Sequence, residues 1–162
     1  MKTDFARACE KLMGMDERTW ERHANPWSVY SRFTVMPLLT LAIVSRVWIG
    51  GWAWLATAVV LLWIWLNPRL FPACSRKSGW AVEVTRGERL YLARQRQPIP
   101  PHHAQAARLL QMLSVAGLPI WVYGLYTLNT WALVLGNVCI IAFKAWFADR
   151  MVWLHRDMQM GG

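Results

Sequence analysis

Four apolar stretches decide what this chain can fold into. They run from about Phe33 to Ser45, Ile49 to Leu66, Leu109 to Tyr126 and Trp131 to Ala148. A helix needs roughly 20 apolar residues, rising 1.5 Å each, to cross about 30 Å of hydrocarbon. Ile49 to Leu66 and Leu109 to Tyr126 carry no charge, and Trp131 to Ala148 carries one, Lys144. Phe33 to Ser45 is short alone but reaches spanning length if its helix starts at Pro26. A water-soluble domain has no use for separate runs of this kind, so the expectation is an all-α membrane protein of four transmembrane helices in two hairpins. Residues 1–32 are charged and hold no apolar signal-peptide core, so the first span is expected to stay as an anchor.

The basic residues set the expected orientation. Of 18 Lys and Arg, only Arg46 falls in a turn on one side; the other 17 flank the opposite helix ends or lie in the long central loop. Cytoplasmic loops carry the Lys/Arg excess, which predicts that both termini and the long loop are cytoplasmic. All nine acidic residues share that side, so the net charge of +9 is a one-sided field. It suits anionic lipids of the cytoplasmic leaflet. Because the bilayer accounts for the charge, nucleic acid is not expected as a partner. A homo-oligomer or a larger membrane complex remains open.

Aromatic residues fit two interfacial belts. Trp48, Trp52, Trp54, Trp121, Tyr123, Tyr126 and Trp131 cluster at the outer ends, and Trp27, Trp63, Trp65, Trp146 and Trp153 at the inner ends.

The boundaries follow. Residues 1–25 form a cytoplasmic segment, amphipathic over 4–13, with a second short helix from Asp16 to His23. The spans cover 26–45, 49–66, 107–126 and 130–148; a basic loop covers 67–106 and a tail 149–162. Asn25 caps and Pro26 starts the first span, since proline lacks the N–H that a first turn leaves unpaired. Pro37 and Pro119 should kink their helices. A loop this long has its own structure. Trp80, Val84, Gly87 and Tyr91 recur at helical spacing, although the alternation Trp80, Val82, Val84 also fits a strand; the helix is favoured, and Gly87 counts against it.

Five blocks carry a resemblance: the segment from Arg22 to Phe33 (RHANPWSVYSRF), Asn67 to Pro72 (NPRLFP), Gly87-Glu88-Arg89, Pro98 to His103 (PIPPHH) and Trp146 to Met151 (WFADRM). They resemble a family of small prokaryotic four-span integral-membrane proteins of unknown function. The resemblance implies a membrane fold and no particular reaction.

The candidate chemistry gathers at the cytoplasmic helix ends. Ionisable groups at membrane depth are costly and face a partner or a wet cavity; Arg32, Lys144 and Asp149 are the clearest cases, with Arg32–Asp149 the expected pair. Asn25, Arg32, Asn67, Arg69 and Arg94 are expected to bind an anion or lipid headgroup by charge-assisted hydrogen bonds near helix N-termini. A second polar or metal-binding set comprises His23, Glu88, His102, His103, Asp149 and His155. Its spacing is poor, because adjacent histidines such as His102 and His103 diverge by about 100° on a helix. No cofactor is therefore expected, and the bland reading leaves the histidines titrating near neutrality. No nucleophile elbow, P-loop or dinucleotide fingerprint occurs. The leading function is a membrane module whose cytoplasmic polar cluster binds an anionic lipid or amphiphile, or docks on a larger complex. The alternative is a small membrane enzyme at that face, metal-dependent or not.

Overall fold

The computed structural model describes residues 17–74 and 78–160, and among these every regular element is helical. The amphipathic helix expected over 4–13 lies outside the described residues. The elements are α1 (Glu17–His23), α2 (Pro26–Ser31), a 3-10 turn (Arg32–Thr34), α3 (Val35–Val44), α4 (Arg46–Ile49), α5 (Trp52–Leu70), α6 (Trp80–Leu92), α7 (Pro101–Thr127) and α8 (Thr130–Met160).

Among the described residues, three stretches are long and apolar enough to cross a membrane: Pro26–Ile49, Pro101–Thr127 and Thr130–Met160. Trp52–Asn67, within α5, is a shorter apolar helix. The first stretch is not one regular rod. It begins as expected, with the Asn25 side chain accepting from the Trp27 N–H at 3.0 Å. It then tightens at Arg32–Thr34, just before Pro37. Proline has no N–H to give and its ring crowds the carbonyl four residues back, here that of Phe33, which the 3-10 turn relieves. Pro119, by contrast, sits inside an uninterrupted α7.

α7 and α8 form a close antiparallel hairpin. A Cβ on Gly136 would lie 2.7 Å from the Trp121 backbone nitrogen, and one on Gly124 2.7 Å from that of Leu133. Only glycine lets the backbones approach this far, as in small-residue packing of membrane helices. The first hairpin docks on this pair through a polar node: Asn137 Nδ2 and Trp121 Nε1 both donate to Thr40 Oγ1, at 2.9 and 2.8 Å. Trp121 is therefore buried and leaves the outer belt. Trp48, Trp52, Trp54, Tyr126 and Trp131 remain exposed there, and Trp27, Trp65, Trp146 and Trp153 at the other end. The Arg46 guanidinium donates to the Leu125 carbonyl, in the last turn of α7.

One helix outruns its expected end. α8 continues to Met160, so the expected tail of 149–162 is, through Met160, more helix. It continues because α6 gives it something to pack on: Val84 meets Ala148 and Val152, and Tyr91 meets Ala107, Met151 and Leu154. α6 is the helix expected in the loop, but Gly87 plays a different part from the one anticipated. A Cβ there would fall 1.9 Å from the Met151 carbonyl oxygen; the residue that weakens helix propensity is the one that lets α6 touch α8.

Candidate functional site

The polar groups at the α6 end of the hairpins separate into three clusters. The first ties α2 to the end of α5. Asn67, at the end of α5, is fully buried. Its Oδ1 accepts from Ser28 Oγ at 2.9 Å and its Nδ2 donates to Ser31 Oγ at 2.7 Å. Asn25 Nδ2 donates to the Pro72 carbonyl at 3.2 Å. Arg69 turns back on its own helix, donating to the Trp65 carbonyl with its guanidinium 4.1 Å from the Trp65 ring. Of the residues expected as anion ligands, Asn25 and Asn67 thus hold the first hairpin together, and Arg69 packs on its own helix.

The second cluster surrounds a cavity. The Arg32 side chain folds back along α2, its Nε donating to the Ser28 carbonyl at 3.0 Å and its terminal nitrogens to the His23 ring Nε2 and the His23 carbonyl. It does not meet Asp149. That carboxylate accepts from the indole N–H of Trp80 at 3.3 Å and of Trp153 at 3.2 Å. The expected Arg32–Asp149 pair is corrected accordingly: the Arg32 guanidinium is drawn to a ring nitrogen and two carbonyls near its own backbone.

His23 sits 8% exposed, its Nε2 3.8 Å from the Glu88 carboxylate. That distance suggests an ion pair, but the ring is neutral. Burial, then the neighbouring Arg32 and then Lys144 charges, push its pKa from 6.5 down to about 2. A ring accepting from a guanidinium at Nε2 must also be the Nδ1–H tautomer. Glu88 is pushed the other way: burial raises its pKa, and Arg32 and Lys144 pull part of it back. The expectation of histidines titrating near neutrality fails here because the ring is enclosed by protein and flanked by fixed cations.

Glu88 and Lys144 share the wall of a cavity of about 540 Å³. Its polar lining continues with Arg94, Gln111 and Ser114, and its apolar lining includes Trp20, Leu110, Val115, Phe143 and Phe147. Arg94 is held against Tyr91, its guanidinium 4.1 Å from the ring and donating to the Tyr91 carbonyl at 2.6 Å. The Glu88 side chain keeps 24% exposure. With His23 neutral, the cations Arg32 and Lys144 act on one carboxylate, and the cavity keeps a positive surplus. Lys144 was legible as the single charge of its apolar stretch and Glu88 as a member of the polar set; that the two share one cavity wall was not.

The third cluster lies where α7 begins and α8 ends. His103 Nε2 is 2.8 Å from Asp157 Oδ2, and the His102 and His103 rings are 4.2 Å apart. His155 is buried elsewhere on α8, with Arg86 and Glu83 of α6 as electrostatic neighbours. Glu83 itself accepts from Arg156 Nε at 2.7 Å. The expected metal set is therefore dispersed: Glu88 on the cavity with His23 beside it, His102 and His103 at the α7 start, Asp149 under Trp80, His155 under α6. Asp157, which joins His102 and His103, had no local signal in the sequence.

A family model described as a family of unknown function, DUF6653, matches residues 5–162. The chain belongs to that family. No curated protein and no solved structure matches the chain. For this DUF6653 member the cavity and the three polar clusters are therefore the ground on which function must be argued.

Proposed function

We propose that the chain is a small polytopic module of a prokaryotic inner membrane that binds an anionic amphiphile in the cavity beside Glu88 and Lys144. In this reading α5 is the fourth span, the two hairpins cross the bilayer, and both termini and α6 lie on the cytoplasmic side. Nineteen helical residues in α5 give about 28 Å, close to the hydrocarbon thickness. The single observation that carries the proposal is the cavity's composition. It joins an apolar wall of Leu110, Val115, Phe143 and Phe147 to a positive surplus from Lys144 and Arg94. A ligand with an acyl or other apolar body and a negatively charged head matches both halves. Sites of this size class for small molecules, mostly apolar with a few placed polar groups, are the usual form of a ligand pocket.

The test is native mass spectrometry of protein released from native-membrane nanodiscs. Wild-type protein is expected to retain one anionic amphiphile per chain. Lys144→Met, which removes the charge, and Val115→Trp, which fills the cavity, are each expected to lose it while remaining folded. Equal retention in all three proteins would refute the reading.

A further inference from the structure

We infer that His102, His103 and Asp157 form a binding site for one divalent transition-metal ion of the Zn²⁺ class. One donor atom from each of the three lies within 4.8 Å of the other two. The sequence spacing argues against this, since neighbouring histidines leave a helix in different directions. In the structure both belong to the first turn of α7, and their rings nevertheless converge to 4.2 Å with a 40° tilt. The antiparallel run of α8 then brings Asp157 to them from 54 residues away. Rigid elements thus hold all three donors: two from one helix start and one from the end of its partner.

His103 is 2% exposed and its Nε2 already faces the Asp157 carboxylate at 2.8 Å, so the fold itself holds the nitrogen that would ligate against the third donor. His102 is exposed and Asp157 half-buried, so an ion can reach the cluster from the aqueous side and retain water at its remaining positions. Two imidazoles and a carboxylate with an open position are the donor set of a Zn²⁺-type ion. Ca²⁺ and Mg²⁺ prefer all-oxygen sites. The α7 N-terminus is the positive pole of its helix and disfavours any cation, whereas the closing turn of α8 presents the opposite pole. Coordination by ring nitrogens is what selects a transition metal there.

The site is separate from the cavity, and its test does not depend on an amphiphile. Chelator-treated protein in nanodiscs, carrying no polyhistidine tag, is titrated with Co²⁺ and then with Zn²⁺. The expected result is one Co²⁺ per chain, with visible d–d bands and no thiolate charge-transfer band, displaced by Zn²⁺. His102→Ala and Asp157→Asn are each expected to weaken binding at least about tenfold. His102 is a surface side chain, so its loss leaves the fold intact; unchanged circular dichroism and monodisperse elution verify this for both variants. No stoichiometric uptake, a thiolate band, or undiminished affinity in the two folded variants would overturn the inference.

Discussion

The Arg32 guanidinium donates to the ring of His23, nine residues earlier, and the ring accepts because it is neutral. A neutral buried histidine ties stability to pH. The folded pKa is depressed to about 2 from 6.5, so the unfolded chain binds the extra proton first as pH falls. The stability contributed by the neutral ring is present above pH 6.5 and drains away as pH falls toward 2. Between pH 6.5 and pH 5 the loss attributable to His23 is expected to approach about 2 kcal/mol. Unfolding by sodium dodecyl sulfate at stepped pH measures it. His23→Gln should flatten the slope over that window, and an unchanged slope in the variant would show that another group titrates.

Gly87→Ala is expected to destabilise the docking of α6 by about 1–3 kcal/mol, toward the upper end because the obstacle is a backbone carbonyl. A side-chain neighbour could rotate away; the Met151 oxygen 1.9 Å from the added carbon cannot move without bending α8. Limited proteolysis should cut the segment around α6 sooner in the variant, together with a lower melting temperature. Wild-type resistance on both counts would mean that α6 does not pack on α8 this closely.

Asn67→Ala is expected to cost about 1–3 kcal/mol, because it strands a buried hydroxyl. Ser28→Ala also strands a buried group, the Asn67 Oδ1, but breaks one of the two bonds that Asn67→Ala breaks, so it should cost less, about 1–2 kcal/mol. The order of the two variants in denaturant midpoint is the check. If Ser28→Ala proves the more damaging, the Asn67 amide is not the hub that the hydrogen bonds describe.

The proposed topology yields a labelling pattern. With the native cysteines replaced by serine, Asn129→Cys is expected to react with a membrane-impermeant maleimide on intact cells. Ser78→Cys should react only after permeabilisation. Labelling of both, or of Ser78→Cys alone, on intact cells would overturn the orientation read from the basic residues.

What the sequence revealed depended on how local each signal was. Asn25 and Pro26 announce a helix start because a cap involves residues two apart, and the cap is there. Trp80 to Tyr91 announce a helix by their period, and α6 is there. Gly87 was misjudged because propensity knows nothing of a neighbouring helix. Arg32 and Asp149 were paired on charge alone, yet charge does not decide when a histidine ring and two carbonyls lie nearer. Asp157 stayed unseen because only the register of α7 against α8 brings it to His103. Trp121 looked like a belt residue and proved to be a hydrogen-bond donor to Thr40, a contact between segments 81 residues apart.

α8 has 31 residues in one unbroken helix, about 46 Å of rod. It is longer than the hydrocarbon layer, and α6 is fastened to the part beyond it through Gly87 and Val84. The rod is therefore a lever. Each degree of tilt at its Thr130 end displaces Asp157, about 40 Å along the rod, by roughly 0.7 Å, taking a helix of this rise as stiff. A change in bilayer thickness, which membrane helices meet by tilting, would reach the cavity and the His103 cluster as a mechanical displacement, without any ligand having bound.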